Sequence, residues 1–215
     1  MRQKTPSYYP VFLNLTGRKC AVVGGGQVAL RKVNALLEAG ADVKIISPDL
    51  CPELTVLAAA GKLTLEKRPF RPADLNGAFV AVAATDKNDV NLEVARQARR
   101  KGILVNVVDD PGNSDFIAPS CLKRGDVTIA VSTAGRSPAL ARKIRMKLER
   151  DFGNEYAVLA QLIAGVRLEI KRRGIKVDGE QWQQALDLDL LLDLLKDGKK
   201  EQAANLLLAN LEARK

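Results

Sequence analysis

Three consecutive glycines, Gly24-Gly25-Gly26, stand between an apolar run with strand character, Lys19 to Val23, and a segment of helical periodicity, Val28 to Ala39. A strand that turns directly into a helix through glycine constrains a chain severely, because the helix must fold back onto the sheet that holds the strand. The spacing refines this. Gly24, Gly26 and Ala29 fill the positions of G-x-G-x-x-A: the first glycine allows a sharp turn, the second has no Cβ to obstruct an approaching group, and the alanine permits close helix–sheet packing. The helix N-terminus that results presents backbone N–H groups and a partial positive charge, so an anionic group is expected there.

The rest of the first half repeats the same alternation. Strands are predicted at Val43 to Ile46, Leu63 to Lys67, Phe79 to Ala83 and Leu104 to Val108, with a second crossover helix at Asn88 to Lys101. Gly40 and Gly102 close the two crossover helices, and Val90, Val94 and Ala98 give the second its apolar face. This is an α/β pattern: a Rossmann-like, doubly wound parallel sheet that binds a dinucleotide at its carboxyl edge. Beyond Pro111 the pattern changes to a polar turn, a strand at Val127 to Val131, and a helix from Pro138 to Arg150. From Asp151 the chain reads as helical, with a stripe of Val158, Leu162 and Val166 and a leucine-rich run from Leu186 to Leu195, both read as bundle core or subunit contact. We therefore expect a dinucleotide-binding domain at 1–112, a small α+β region at 113–150, and a helical region at 151–215.

Composition narrows the chemistry. Histidine is absent, so proton transfer falls to carboxylates, lysines, tyrosines or cysteines, and the commonest metal ligand is missing. The three cysteines, Cys20, Cys51 and Cys121, form neither a disulfide framework nor a zinc knuckle, and no metal site is expected. No apolar run approaches the roughly 20 residues of a membrane span, and Met1 to Lys4 do not open a signal core, so a cytoplasmic address is expected, with no membrane partner. The net charge is +9, and Phe116 to Arg150 holds eight Lys/Arg against two acids, so the partner is anionic. Nucleic acid is a poor fit, because few aromatics border that patch to stack bases.

Cofactor contacts are expected from Gly24, Gly26, Gln27 and Val28 at the turn and helix start, from Pro48 and Asp49 after the second strand, and from Thr85 after the fourth. A carboxylate at Asp49 accepts from ribose hydroxyls and repels a 2′-phosphate, and no arginine follows at once, so NAD is favoured over NADP. Capping is the competing role: Ser47 or Asp49 for a helix at about Pro52 to Ala60, Thr85 or Asp86 for the helix beginning near Asn88.

Four segments together carry a resemblance: Gly-Gly-Gly-Gln-Val-Ala at Gly24 to Ala29, Ala-Ala-Thr-Asp at Ala83 to Asp86, Asn-Val-Val-Asp at Asn106 to Asp109, and Ser-Thr-Ala-Gly-Arg-Ser-Pro at Ser132 to Pro138. The chain resembles the siroheme synthase family, closely over residues 8 to 150 and loosely beyond. The resemblance implies NAD-dependent oxidation of precorrin-2 to sirohydrochlorin, a homodimer with an intertwined middle region, and, in some members, Fe2+ insertion into the product. It places the catalytic carboxylate on Asp109, at the end of the Leu104 to Val108 strand, where a partly desolvated carboxylate of raised pKa would accept the proton lost with the hydride. Asp110, before Pro111, is read as shaping the turn. Ser132, Thr133, Gly135, Arg136 and Ser137, with Arg142 on the following helix, are expected to bind the polycarboxylate substrate, helped by Lys143 and Arg145; Ser137 suits an N-cap and Pro138 the first helical position. Thr133 and Arg136 depart from the serine and threonine of some relatives, so hydroxyl contacts do not transfer directly.

Two other classes compete. A carbonyl reductase on this fold needs a proton donor beside the nicotinamide, and the sheet edge offers chiefly Asp109. A non-catalytic NAD(H) sensor acting through the C-terminal helices would bind dinucleotide tightly without turnover.

Overall fold

The computed structural model describes residues 7–213, and Met1 to Lys4, considered above for a signal core, lie outside it. The chain divides between Ala118 and Pro119 into two compact units. The sequence boundary after residue 112 fell a few residues earlier. Residues 114–116 stay tied to the sheet of the first unit, because Ser114 Oγ accepts from Val107 N (2.9 Å), Asp115 accepts from Val105 N (3.1 Å), and Asn106 Nδ2 donates to the Phe116 carbonyl (3.0 Å).

In the first unit β1 (Lys19–Val23), β2 (Asp42–Ile46), β3 (Thr64–Glu66), β4 (Val80–Ala83) and β5 (Leu104–Val107) form one sheet in the order β3-β2-β1-β4-β5, and every pairing is parallel. Helices α1 (Gln27–Glu38), α2 (Pro52–Ala59) and α3 (Asn88–Arg100) make the crossovers with two short 3-10 turns, Pro72–Leu75 and Pro111–Asn113. The strands are apolar without a break because both faces are covered. Cys20, Val22, Val43, Ile45, Val80 and Val82 pack with Ala29 and Val33 of α1 and Leu54 of α2. Residues one step out of phase, Ala21, Val23, Ala81, Ala83, Val105 and Val107, pack with Val94, Ala95 and Ala98 of α3 on the other side. The predicted strands run slightly long: Leu63, Lys67, Phe79 and Val108 lie outside the ladders. Strand order reverses at β1 and β4, and ligands of open α/β sheets bind at that reversal.

The second unit begins with an antiparallel hairpin, β6 (Ser120–Arg124) and β7 (Val127–Val131), followed by α4 (Pro138–Asp151). The sequence reading placed β7 but not β6, since of the five residues of Ser-Cys-Leu-Lys-Arg only Leu122 is buried and apolar periodicity is almost absent. Helices α5 (Glu155–Arg172), α6 (Gly179–Ala185), α7 (Leu188–Lys196) and α8 (Lys200–Glu212) close on a separate core that includes Leu162, Val166, Leu191, Leu192, Leu207 and Leu211. Leu159, rather than the predicted Val158, is the buried residue that opens the α5 stripe. No helix among the described residues is long and apolar enough to cross a membrane.

Candidate functional site

At the carboxyl edge of the parallel sheet the loops after β1, β2, β4 and β5 enclose a cleft of about 790 Å³. The glycine turn forms its floor. Gly24 is buried at φ 125°, and a Cβ there would stand 2.3 Å from the Ala84 carbonyl oxygen. A Cβ on Gly25 would stand 1.8 Å from the Asp49 carbonyl oxygen, so this glycine, which the motif leaves unspecified, is required for the β2 loop to pack. Gly26 differs from both. Its φ of −88° suits any residue and a Cβ would meet nothing within 4 Å, so neither backbone nor packing explains a glycine. The open space is the cradle a bound pyrophosphate needs. Gly26 is also the N-cap of α1, no side chain caps that helix, and no acidic residue occupies its first turn. A helix N-terminus left in this state favours an anion, so the residues present fit a dinucleotide.

All seven predicted cofactor residues line this cleft, and Asp109 lines it with them. Their side chains differ in what is left to offer. Asp49 is exposed at the rim; it does not cap α2, whose N-cap is Cys51. Ser47 is buried, and its hydroxyl donates to the Asp49 carbonyl at 2.6 Å. Gln27 Nε2 donates to both carboxylate oxygens of Glu53, each at 3.2 Å. The Glu53 carboxyl is held below the usual range by a backbone hydrogen bond and then by Gln27. Thr85 stabilises its own loop: its hydroxyl bonds Asn91 Oδ1 (2.8 Å) and accepts from Lys87 N (3.1 Å), while the N-cap of α3 is Lys87. Pro69, Phe70, Lys87 and Cys51 also line the cleft and were missed. Phe70 arrives on the connection after β3, where no local motif marks it.

Asp109 stands two residues beyond the end of β5, after Val108. It sits at φ 59°, a left-handed conformation that costs a non-glycine residue about 1 kcal/mol or more. Backbone strain at a cleft residue is a signature of function, although it does not by itself name one. The adjacent acid is committed elsewhere: Asp110 caps the 3-10 turn, accepting from Asn113 N (3.1 Å) and Asn113 Nδ2 (2.6 Å), as its place before Pro111 predicted. One expectation is corrected. Asp109 is exposed in this chain, so the partial desolvation foreseen for it is not supplied by the fold around it.

The predicted substrate residues belong to the second unit and are described within it. Ser137 is the N-cap of α4, accepting from Leu140 N at 3.2 Å, and Pro138 takes the first helical position. The loop hydroxyls are occupied: Ser132 Oγ accepts from Ala134 N (3.0 Å), and Thr133 Oγ1 accepts from Ser137 N (3.0 Å) and donates to the Ser137 carbonyl (3.1 Å). Arg136 and Arg142 are exposed, as are Gly135 and Lys143. Arg145 forms an ion pair with Glu149 one turn along α4. The three cysteines are free thiols, and burial pushes the Cys20 thiol up to about 11, out of reach of chemistry at neutral pH. No group of three or more metal-ligating side chains is gathered among the described residues.

A parallel sheet with a glycine turn at its reversal point, an uncapped helix N-terminus and an acidic residue at the rim defines a dinucleotide-binding protein of the Rossmann-like class. The chain belongs to the putative NAD(P)-binding family, whose model matches residues 11–120. A second model, the central segment of sirohaem biosynthesis proteins, matches residues 124–151. The chain is homologous to siroheme synthases: it is 41% identical to the siroheme synthase of Nitrosococcus oceani over 207 residues, 95% of this chain and 44% of that one. It is 40% identical to siroheme synthase 1 of Aeromonas salmonicida over 93% of this chain and 43% of the relative. The chain thus spans less than half the length of these relatives. Among solved structures, SirC, precorrin-2 dehydrogenase, superposes with a TM-score of 0.70 at 27% identity, covering 96% of this chain and all of that one.

Proposed function

We propose that this chain is an NAD-dependent dehydrogenase that oxidises precorrin-2 to sirohydrochlorin. The observation that carries the reading is the presence of Asp109 in the same cleft as Gly24 and Gly26. NAD⁺, when bound, accepts a hydride from the reduced macrocycle. Gly26 leaves space for its pyrophosphate and the N-terminus of α1 faces the negative charge. Asp49, exposed at the rim, accepts from the ribose hydroxyls and disfavours a 2′-phosphate, which selects NAD over NADP. Asp109 takes the proton that leaves the substrate when the hydride does, and its exposure in the chain alone means that bound ligands must supply the desolvation. In the second unit the capped N-terminus of α4, with Arg136 and Arg142 exposed, offers cationic partners for the carboxylates of a tetrapyrrole.

Anaerobic incubation with precorrin-2 and NAD⁺, following sirohydrochlorin absorbance and NADH, tests the reading. Asp109→Ala should lower kcat by about 100-fold or more while NADH binding is unchanged. An unaltered rate in that variant removes Asp109 from the reaction.

The same reading includes a homodimer. Leu140 and Ile144, one turn apart on α4, are 52% and 38% exposed, an unusual position for two large apolar side chains on one helix face. Replacing both with aspartate should yield a monomer by sedimentation velocity; a wild type that is already monomeric refutes this part.

A further inference from the structure

We propose that Phe70 is the residue on which the adenine ring of NAD stacks, with the adenosine half of the cofactor towards β2 and β3. The proposal rests on the reading of the cleft as an NAD site and not on the role given to Asp109. Strand order carries the direction. In β3-β2-β1-β4-β5 the glycine turn after β1 is central, the loops after β2 and β3 lie to one side of it, and those after β4 and β5 to the other. Asp49 and Phe70 line the cleft from the first side and Asp109 from the second. Neighbouring strands are about 4.8 Å apart, so the ends of β2 and β5, three spacings apart, stand roughly 14 Å from each other. A dinucleotide extended over that distance has its pyrophosphate at the glycine turn and one ring towards each end. With its ribose on the Asp49 carboxylate, the adenosine half falls beside the loops after β2 and β3.

Among the described residues Phe70 is the only aromatic side chain that lines the cleft. It is half-buried, and it packs against the apolar cluster that includes Val23 and Ile46, so the side chain is shared between core and cleft. The loop that carries it is closed by its own bonds. Arg68 Nη1 donates to the Pro69 carbonyl (3.2 Å), and the ion pair of Arg68 with Asp74 joins the residues on either side of Phe70. A ring held in place before the ligand arrives loses little freedom on binding. A fixed aromatic face suits a purine, which gains from stacking on it whatever polar contacts the base makes. Asp49 thus acts on the ribose and Phe70 on the base attached to it.

The test measures three ligands on the full chain. NADH and reduced nicotinamide mononucleotide, which lacks the adenosine half, are followed by nicotinamide fluorescence, and 5′-AMP, which lacks the nicotinamide half, by displacement of NADH. In Phe70→Ala the Kd of NADH and that of 5′-AMP should both rise about tenfold, within the range of one lost base–aromatic stack, while the mononucleotide binds as it does to the wild type. Phe70→Leu keeps an apolar side chain against the cluster and should unfold in urea close to the wild-type midpoint, yet show the same loss of affinity. Phe70→Tyr should restore it. An unchanged NADH affinity in Phe70→Ala overturns the proposal, and so does an equal loss of NADH and the mononucleotide, which would make Phe70 a support of the whole cleft. Wild-type affinity in Phe70→Leu overturns it as well, because a flat face would then be unnecessary. A wild type that does not bind NADH removes the NAD reading and the proposal with it, whereas one that binds NADH but does not turn over precorrin-2 removes the dehydrogenase reading alone.

Discussion

Gly24 and Gly26 are two residues apart and identical, yet they are glycine for opposite reasons. At Gly24 any side chain is strained by the φ of 125° and would press into the Ala84 carbonyl, so Gly24→Ala should cost about 3 kcal/mol or more in a urea titration. At Gly26 a methyl group has an allowed backbone and empty space, so Gly26→Ala should fold with stability within about 0.5 kcal/mol of the wild type. The same methyl stands where a pyrophosphate must approach, and NADH affinity, read by fluorescence, should drop at least about tenfold. Equal NADH affinity in Gly26→Ala would mean that the cradle holds something else. The motif already assigns the turn to Gly24 and the open approach to Gly26; the φ values and the neighbours of each Cβ give that division its physical ground.

At the scale of an element, the connection after β3 carries Phe70 to the cleft, and an ion pair brackets it. Asp74 is buried in the 3-10 turn and accepts from Arg68 at 2.7 and 2.9 Å and from Arg71 N at 2.8 Å. The Arg68 hydrogen bonds hold the Asp74 carboxyl below its usual range, with the Arg71 amide adding to them against the cost of burial. A carboxyl whose folded pKa is depressed contributes stability that is complete above the unfolded value of about 3.9 and is lost as pH falls through the folded value. Asp74→Asn should therefore destabilise by about 1–3 kcal/mol at pH 7. The gap between variant and wild type should narrow as the pH is taken below about 4 in parallel urea titrations. A gap of constant size across that range would show that the charge on Asp74 contributes nothing. Because the bracket spans Phe70, the variant should also bind NADH less tightly at neutral pH.

Across the whole molecule, two units have separate cores. The sheet clusters draw their residues from the first unit, and the cluster around Leu191, Leu207 and Leu211 is built from α5 to α8 of the second. Leu207→Ala removes a fully buried side chain and should cost the helical unit about 2–5 kcal/mol, seen as an early transition in calorimetry, while NADH binding by the first unit persists. Simultaneous loss of NADH binding would mean that the units fold as one.

Much of this architecture was legible from residue order. The alternation of apolar strands and amphipathic helices, the glycine turn and the Ser137-Pro138 helix start are local signals, each fixed by a few neighbouring side chains and backbone preferences, and they placed the parallel strands, α1, α3 and α4 to within a residue or so. β6 escaped because one buried leucine makes no period, and Phe70 and Lys87 escaped because membership of a cleft is a matter of where loops distant in sequence converge. The tertiary structure decided the rest: that Thr85, Ser132 and Thr133 spend their hydroxyls on their own loops, and that Asp110 is committed to a turn while Asp109 lines the cleft. Periodicity and turn chemistry act over a few residues and survive in the sequence, whereas hydrogen-bond partners, burial and charge pairs are set by packing between segments far apart along the chain.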